Sequence, residues 1–279
     1  MAEPVRVAAA LREAAQRLAA TSDTSRLDAE LLMAHALGVT RSELLLRHMA
    51  AAVPQGFAAL VERRACCEPL AYLVGEQEFF GLPFLVNREV LIPRSDSETL
   101  VEAALAVCPA ARRVLDCGTG SGALLLAVLR HLPEAQGIGI DRSLGAVAVA
   151  AANAAALGLA DRAQMIHADW CEPGWDDGLA GPFDLILVNP PYVEAGAVLA
   201  PDVRQFEPHG ALFAGADGLD DYRALVPQFP ALLGPGGVAM VEIGASQAES
   251  VAAIAASAGF TAICRNDLGG RPRVLELCR

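Results

Sequence analysis

The pattern of apolar and polar residues near the start of the chain is helical. Apolar side chains between residues 4 and 68 recur at helical spacing, as in Val7, Leu11, Ala14 and Leu18, and turn signals such as Gly38 separate the runs. This stretch contains no pattern that suggests chemistry. We therefore expect residues 1–73 to form a small all-α domain.

The pattern changes between residues 74 and 94. Aromatic and β-branched residues there predict two short strands joined at Asn87-Arg88, and hence a β-hairpin connector. Ser95 and Glu98 follow with the spacing of a capping box, which would begin the next helix with serine at the N-cap. Capping alone can explain Glu98.

Residues 95–279 alternate between strand-like and helical segments. Predicted strands end near Asp116, Asp141, His167 and Val188, and each is followed by a helical or loop segment. Helices near residues 221–233 and 247–257 and strands near residues 238–243, 260–264 and 274–277 complete the pattern, with residues 234–237 as a turn. Such alternation predicts a Rossmann-like α/β fold with a mostly parallel, seven-stranded sheet. Ligands of these sheets bind at the carboxyl ends of the strands.

Composition narrows the possible functions. Hydrophobic residues make up 54% of the 279 residues, which is ample for a core, and the net charge of −12 resides mostly beyond residue 80. An acidic surface disfavours non-specific binding to nucleic acid, because contacts to phosphates need a basic one. The chain contains no lysine, which excludes a P-loop lysine and a Schiff-base lysine.

Cysteines and histidines indicate neither disulfides nor a metal site. The seven cysteines lack C-x-x-C spacing and most lie in apolar surroundings, so we expect reduced, buried thiols. The five histidines are scattered, and we predict no metal. No apolar run reaches the length of a membrane span, so we expect a cytoplasmic protein that does not contact membranes. We also expect a monomer.

A glycine-rich loop follows the first strand of the alternating region. Gly118-x-Gly120-x-x-Ala123, with Asp141 about twenty residues later, satisfies the dinucleotide fingerprint. The loop alone does not separate NAD from another nucleoside cofactor. Asp116 favours S-adenosylmethionine, because a carboxylate suits a cofactor with an ammonium group and no pyrophosphate. The alternative for Asp116 is a hydrogen bond within its own loop.

The fourth strand of this region runs directly into Asn189-Pro190-Pro191-Tyr192. Two successive prolines fix their own φ angles and restrict the residues before them, so Asn189 and the Pro190 carbonyl are held in one geometry. On these four residues alone, a rigid turn and a reaction site are equally good interpretations. The stretch has no evident role in hydride transfer, which again favours S-adenosylmethionine over NAD.

With these motifs together, the chain resembles the HemK/PrmC family, the protein-(glutamine-N5) methyltransferases that modify peptide-chain release factors. The resemblance covers nearly the whole sequence. The matching motifs are Asp116 to Gly122, Asn189 to Tyr192, Phe79-x-Gly81-x-x-Phe84, Val90 to Arg94, Glu98-x-Leu100-Val101-Glu102, Glu207-Pro208, Asp217-Gly218-Leu219 and Glu242-Ile243-Gly244.

The resemblance implies a class I methyltransferase domain that uses S-adenosylmethionine, preceded by a helical substrate-docking domain. The substrate would be the glutamine of a Gly-Gly-Gln motif in a release factor. The implied cofactor-binding residues are Gly118, Thr119, Gly120, Ser121, Gly122, Asp141, Asp169, Trp170 and Asn189. The implied catalytic residues are Asn189, Pro190, Pro191 and Tyr192, with Asn189 and the Pro190 carbonyl accepting the two amide N–H bonds of the substrate.

Two departures from the family pattern are small. Ser95 stands where the family usually has a proline, and Ser97 replaces threonine. The nearest alternative functions are methylation of a ribosomal-protein glutamine and adenine-N6 methylation of nucleic acid. A non-catalytic nucleoside-binding module and an NAD oxidoreductase are alternatives from other classes.

Overall fold

The computed structural model describes residues 6–279, so residues 1–5 of the predicted helical domain lie outside the described residues. The chain divides into two compact units. The first contains the residues up to Glu76 together with Leu199–Phe206, and the second contains Gln77–Val198 and Glu207–Arg279.

The first unit is helical. Its elements are α1 (Val7–Leu18), α2 (Ser25–Leu37), α3 (Arg41–Glu43), a π-helical turn (Leu44–His48), α4 (Phe57–Ala65), α5 (Leu70–Val74) and, later in the chain, α9 (Pro201–Phe206). Val7, Leu11 and Leu18 of α1 are fully buried in its core, as their spacing predicts. Buried Asp28 of α2 is paired with Arg64 at 2.7 Å, so its charge is compensated.

The second unit contains all the strands of the main sheet. Its strands, with a two-stranded ribbon first, are β1 (Glu76–Phe79, of which Glu76 falls in the first unit), β2 (Leu82–Leu85), β3 (Arg113–Cys117), β4 (Gln136–Asp141), β5 (Ala163–His167), β6 (Phe183–Val188), β7 (Leu233–Glu242), β8 (Thr261–Asn266) and β9 (Pro272–Cys278). Its helices are α6 (Glu98–Val107), α7 (Ala123–His131), α8 (Leu144–Ala156), α10 (Asp220–Leu225), α11 (Phe229–Leu232) and α12 (Ala248–Ser257).

The main sheet has seven strands in the order β5-β4-β3-β6-β7-β9-β8. Pairings among β3, β4, β5, β6 and β7 are parallel, and β9 is antiparallel to both β7 and β8. The predicted mostly parallel, seven-stranded Rossmann-like sheet is therefore confirmed. The order reverses between β3 and β6, which is where such sheets bind ligands.

Successive residues of the central strands bury opposite faces of the sheet. Val114 of β3 and Leu185 of β6 belong to one core, with residues of α6, α7 and α8. Leu115 and Ile186, their neighbours in sequence, belong to the other core, with residues of α10, α11 and α12. Because both faces are covered, apolar residues follow one another in these strands, as in Val114-Leu115 of β3 and Leu185 to Val188 of β6, rather than alternating with polar ones.

The predicted turn of the hairpin was wrong. The strands β1 and β2 are joined at Phe80-Gly81 and not at Asn87-Arg88, and residues 90–92 are not a strand. Phe80 and Gly81 both have positive φ, at 51° and 71°, which is the geometry of a two-residue type I′ turn. Phenylalanine is an unusual residue there, so composition gave no signal for the turn.

The predicted capping box was also wrong. Residues Ser95–Ser97 form a 3₁₀ turn, and α6 begins at Glu98 without a side-chain cap. Glu98 Oε1 instead accepts a hydrogen bond from the backbone N–H of Phe80 at 3.0 Å. The Glu98 carboxylate, which the local pattern predicted to cap the helix, thus makes a tertiary hydrogen bond instead.

Two smaller expectations need correction. Residues 234–237, predicted as a turn, lie within β7, where the register against β6 shifts between Phe183 and Leu185.

All seven cysteines are free, as expected, but only Cys117 is buried. The other six are at least partly exposed, at helix ends, in loops or on β8 and β9, and an apolar local sequence does not reveal this exposure. No helix within residues 6–279 is long and apolar enough to cross a membrane.

Candidate active site

A cavity lies at the carboxyl ends of β3, β4 and β6. Its lining includes nine of the residues that the sequence predicts for the site, namely Gly118, Thr119, Gly120, Ser121, Asp141, Asp169, Trp170, Asn189 and Pro191. The strands bring these residues together because parallel strands place their last residues at one edge of the sheet. Gly122, Pro190 and Tyr192 are not among the lining residues.

The glycine loop turns sharply out of β3 because three of its residues have positive φ. Gly118, Gly120 and Gly122 have φ of 74°, 55° and 82°. At Gly118, a Cβ atom would also lie 3.3 Å from Cη2 of Trp170, which is tighter than an ordinary contact. Gly122 has a different environment: a Cβ there would face Leu126 and Ala150 at 3.0 and 3.3 Å, so this glycine permits close packing of α7 and α8.

Asp141 closes the loop at the end of β4. Its Oδ2 accepts the Gly120 N–H and its Oδ1 accepts the Ser143 N–H, both at 2.9 Å. Burial raises the pKa of Asp141, and these two backbone hydrogen bonds oppose the rise. Each oxygen keeps a further lone pair, so the carboxylate can still accept from a ligand in the cavity.

Asp116 is buried beneath the same loop, with 1% of its surface exposed. Its Oδ2 accepts the Thr119 hydroxyl at 2.7 Å, which is the within-loop bond that the sequence left open. Its Oδ1 has no hydrogen-bond partner among residues 6–279. Burial raises the pKa of Asp116 to about 7, with the nearby Asp141 adding to the rise.

Asp169 and Trp170 follow β5 at the far side of the cavity. Asp169 Oδ1 accepts the Cys171 N–H at 2.9 Å, which fixes the turn, and Trp170 is 9% exposed. The Trp170 carbonyl accepts a hydrogen bond from Gln228 at 3.1 Å. The cavity wall is therefore rigid where the indole ring faces Gly118.

Asn189-Pro190-Pro191-Tyr192 leaves the end of β6. Asn189 Nδ2 donates to Ser97 Oγ at 3.4 Å, and the Tyr192 hydroxyl donates to Glu242 Oε1 at 3.4 Å. Burial, and then the adjacent Glu242, raise the pKa of Tyr192 to about 12, so its hydroxyl keeps its proton near neutral pH.

The backbone of Tyr192 is fixed as firmly as its hydroxyl. Its carbonyl accepts from Gln247 Nε2 at 3.1 Å. A Cβ at Gly218 would lie 2.3 Å from that carbonyl, and Gly218 has a φ of 69°. The Asp217-Gly218-Leu219 motif thus supports the Asn189–Tyr192 stretch, which is distant from it in sequence.

Sequence reasoning assigned no role to several residues around the cavity. Glu207, which is 3% exposed, accepts the Ile92 N–H at 3.2 Å and forms an ion pair with Arg94. Arg142 donates to the Gly210 carbonyl at 2.8 Å. These bonds hold residues 90–94 and 207–211 in place beside the cavity. Both segments were visible as motifs, but their contacts span more than a hundred residues of sequence.

The residues present fit a nucleoside cofactor with a cationic group. A Cβ atom at Gly118 would narrow the space between that residue and the Trp170 ring. Asp116 Oδ1 is a buried acceptor with no partner in the described part of the chain, and Asp141 retains free lone pairs. Asp116 and Asp141 place carboxyl groups around the loop, which suits an ammonium, and Arg94 and Arg142 line the same cavity.

Comparison with known proteins agrees with this geometry. Residues 9–75 match the family model described as the PrmC N-terminal domain, and residues 95–207 match the methyltransferase small domain. The ribosomal protein L11 methylase of Lactobacillus delbrueckii subsp. bulgaricus shares 20% identity with a TM-score of 0.50, covering 70% of this chain and 83% of that one. This likeness supports the class I methyltransferase fold.

Curated relatives match far more closely. The release factor glutamine methyltransferase of Cereibacter sphaeroides is 44% identical over 98% of each chain. That of Rhodospirillum rubrum is also 44% identical, over 90% of this chain and 78% of its own. The protein of the same name from Geobacter sulfurreducens is 44% identical over 85% of this chain and 84% of its own. The chain therefore belongs to the release factor glutamine methyltransferase family and is an S-adenosylmethionine-dependent methyltransferase.

Proposed function

We propose that this protein methylates the side-chain amide nitrogen, N5, of the glutamine in a release factor's Gly-Gly-Gln motif. The observation that carries the proposal is the shared cavity of the glycine loop and Asn189. An amide side chain on a rigid turn there lies beside the residues that fit the cofactor. The names of the curated relatives support the choice of a release factor as substrate.

The proposed cofactor-binding residues are Gly118 to Gly122, Asp141, Asp169, Trp170 and Asn189. When bound, S-adenosylmethionine supplies a methyl group on a positively charged sulfur. Asp116 Oδ1 offers an acceptor for an ammonium group, and Asp141 offers acceptors for hydroxyls. The protein must also orient the substrate amide.

Asn189 Oδ1 and the Pro190 carbonyl would each accept one N–H bond of that amide. An amide nitrogen is a poor nucleophile because its lone pair is delocalised into its carbonyl. Two fixed acceptors aim the nitrogen and oppose that delocalisation if they favour a pyramidal geometry. Orientation of this kind supplies up to about 7–11 kcal/mol in model reactions, so no strong base is required.

Pro191 and Tyr192 complete the proposed catalytic stretch. Pro191 fixes the backbone after Pro190, and Tyr192 would offer its ring to the flat face of the amide. Acceptors held in advance also stabilise the positive charge that develops on nitrogen. Because neither acceptor titrates near neutral pH, the proton lost from nitrogen leaves to solvent.

The test is incubation with labelled S-adenosylmethionine and, separately, a release factor, ribosomal proteins and nucleic acid. We expect label in the release factor, at the glutamine of Gly-Gly-Gln when the peptide is analysed by mass spectrometry. Label in nucleic acid alone, or in a ribosomal protein alone, would refute the proposal in favour of the corresponding alternative.

A variant series tests the site. Asn189→Ala should lower kcat about 100-fold, the usual cost of removing one fixed hydrogen-bonding group from a reaction site. The exposed Asn266→Ala is the matched control. Undiminished transfer by Asn189→Ala would contradict the assignment, whereas Asp141→Ala should chiefly weaken cofactor binding, measured by calorimetry.

We also propose that the helical unit, residues 1–73, docks the release factor, with residues 74–94 as a connector. Leu46 in its π-helical turn is 81% exposed and is available to a protein partner. Leu46→Asp should raise KM for a whole release factor and leave KM for a short Gly-Gly-Gln peptide unchanged. Equal changes would argue against docking. We expect the enzyme to be a monomer, which sedimentation can check. We also expect it to act in the cytoplasm, with no direct contact to nucleic acid or membranes.

A further inference from the structure

Ser97 lies between the reaction stretch and a buried carboxyl group. It is the last residue of the 3₁₀ turn before α6, it is 4% exposed, and it lines the cavity. Its Oγ receives a hydrogen bond from Asn189 Nδ2 at 3.4 Å. The side chain of Ser97 also lies close enough to the carboxyl group of Glu242 to favour its charged form, which lowers the pKa of Glu242.

Glu242 is the final residue of β7 and is 1% exposed. Its Oε1 accepts the Tyr192 hydroxyl at 3.4 Å, while its Oε2 has no partner at normal hydrogen-bond geometry among residues 6–279. Its backbone carbonyl accepts the Tyr222 hydroxyl of α10 at 2.9 Å. One buried carboxyl group therefore interacts with both ends of the Asn189–Tyr192 stretch, through Ser97 at one end and directly at the other.

Four elements bring titratable or charged groups towards Glu242. Asp96 of the 3₁₀ turn raises its pKa and Arg273 of β9 lowers it, while Tyr192 and Tyr222 present hydroxyls. Arg273 is shared with Asp96, at 2.9 Å, and so does not serve Glu242 alone. Burial is the largest influence and raises the pKa of Glu242 to about 7.

We propose that Ser97 and Glu242 are positioning residues that turn the Asn189 amide so that its oxygen, and not its nitrogen, faces the substrate. The inference rests on the proposed function. A serine hydroxyl has one proton to donate, and an ionised carboxylate only accepts. Ser97 therefore donates towards Glu242 and offers its lone pairs to Asn189 Nδ2. With Nδ2 held on that side, Oδ1 lies on the other.

The orientation matters because the two faces of an asparagine amide are chemically opposite. The substrate nitrogen carries N–H bonds, which need an acceptor. A flipped Asn189 would present its own N–H groups, and donor would then face donor. Of the two orientations, only the one fixed by an ionised Glu242 allows the proposed contact.

Protonation of Glu242 removes this constraint. A neutral carboxyl group can donate its proton to Ser97, and the Ser97 hydroxyl is then free to donate to Asn189 Oδ1. The asparagine can flip without losing its hydrogen bond to Ser97. Methyl transfer should therefore fall on acidification, although Asn189 itself does not titrate.

Ser97→Ala, Ser97→Thr and Glu242→Gln test the inference, with Glu276→Gln as control. Glu276 is also a buried carboxyl group on the neighbouring strand β9, where it pairs with Arg265 at 2.5 Å and does not line the cavity. For each variant we would measure kcat and KM for a Gly-Gly-Gln peptide between about pH 6 and pH 9, together with the cofactor Kd.

Ser97→Ala should lower kcat about tenfold with little change in cofactor Kd, as expected for one lost hydrogen bond, and Ser97→Thr should restore most of the activity. The wild type should lose activity on acidification through about pH 7, and Glu242→Gln should show low activity without that step. Glu276→Gln should keep the wild-type pH profile.

An unchanged pH profile in Glu242→Gln, or full activity in Ser97→Ala, would overturn the inference. If Ser97→Thr were as slow as Ser97→Ala, the hydroxyl would not be the active feature, and the inference would fail as well. Absence of any transfer to the peptide by the wild type would instead refute the proposed function, so the two failures are distinguishable.

Discussion

Asn153 of α8 connects three backbone groups and is fully buried. Its Oδ1 accepts the Leu85 N–H at 2.7 Å, and its Nδ2 donates to the Leu85 carbonyl at 3.0 Å and to the Ser121 carbonyl at 2.8 Å. One side chain thus ties β2 to the glycine loop. The change Asn153→Ala would remove all three bonds.

The size of the effect depends on whether water can replace the lost partner. Hydrogen bonds contribute about 1 kcal/mol each to net stability, so three correspond to about 3 kcal/mol. Leu85 is 45% exposed and its groups can be rehydrated, whereas Ser121 is 3% exposed and its carbonyl cannot. We therefore expect Asn153→Ala to lower the free energy of unfolding by about 2–3 kcal/mol.

Urea unfolding followed by tryptophan fluorescence would measure this loss, because both tryptophans, Trp170 and Trp175, belong to the second unit. Asn87→Ala is the control, since Asn87 is exposed and its side-chain Oδ1 accepts a local hydrogen bond, from the Glu89 N–H. A loss below about 1 kcal/mol in Asn153→Ala, or a loss no larger than that of the control, would refute this role of Asn153.

Three further predictions concern the cavity and its support. Gly118→Ala should weaken cofactor binding and destabilise the fold more than Gly158→Ala, because both glycines have positive φ but only the first faces an indole ring within 4 Å; equal losses of Tm would contradict this. Arg94→Ala should cost about 3 kcal/mol or more in urea unfolding, because it leaves the buried carboxylate of Glu207 without its cation, and adding Glu207→Gln should recover part of the loss. Folding raises the pKa of Glu242 from 4.5 to about 7, so the folded state binds more protons and stability falls as pH rises through that interval. Glu242→Gln should therefore be more stable than wild type above about pH 7, by up to about 3 kcal/mol, with no such gain near about pH 4; thermal unfolding across this pH range would show whether the gain is absent.

The fold was predictable where the chain follows its local pattern. The central strands β3, β4, β5 and β6 were placed nearly to the residue, because each has a short, mainly apolar centre and a polar residue near or just after its end. The errors fell where a tertiary contact overrides local preference. Phe80 has a positive φ in the β1–β2 turn. Its N–H donates a hydrogen bond to the carboxylate of Glu98, which the sequence pattern had predicted to cap a helix.

The candidate site was predictable to a different extent. The rule that ligands bind at strand ends was enough to group Gly118, Asp141 and Asn189, which share a cavity. The supporting residues were not predictable in the same way. Glu207 and Glu242 act through partners far away in sequence, and a carboxyl group in an apolar segment looks the same whether it supports a site or caps a helix.

The antiparallel direction of β9 affects the edge of the sheet at which the cavity lies. A parallel strand presents its last residue there, but β9 runs in the opposite direction and so presents its beginning, with Val274 opposite Glu242. Arg273, next to it, is 8% exposed and pairs with Asp96 in the turn that contains Ser97. Reversal of a single strand thus brings a further cation, Arg273, to the edge of the sheet where Arg94 and Arg142 line the cavity, from a part of the sequence about eighty residues beyond Asn189–Tyr192. Substitutions in the β8–β9 hairpin should therefore change the rate of methyl transfer as well as the stability of the fold.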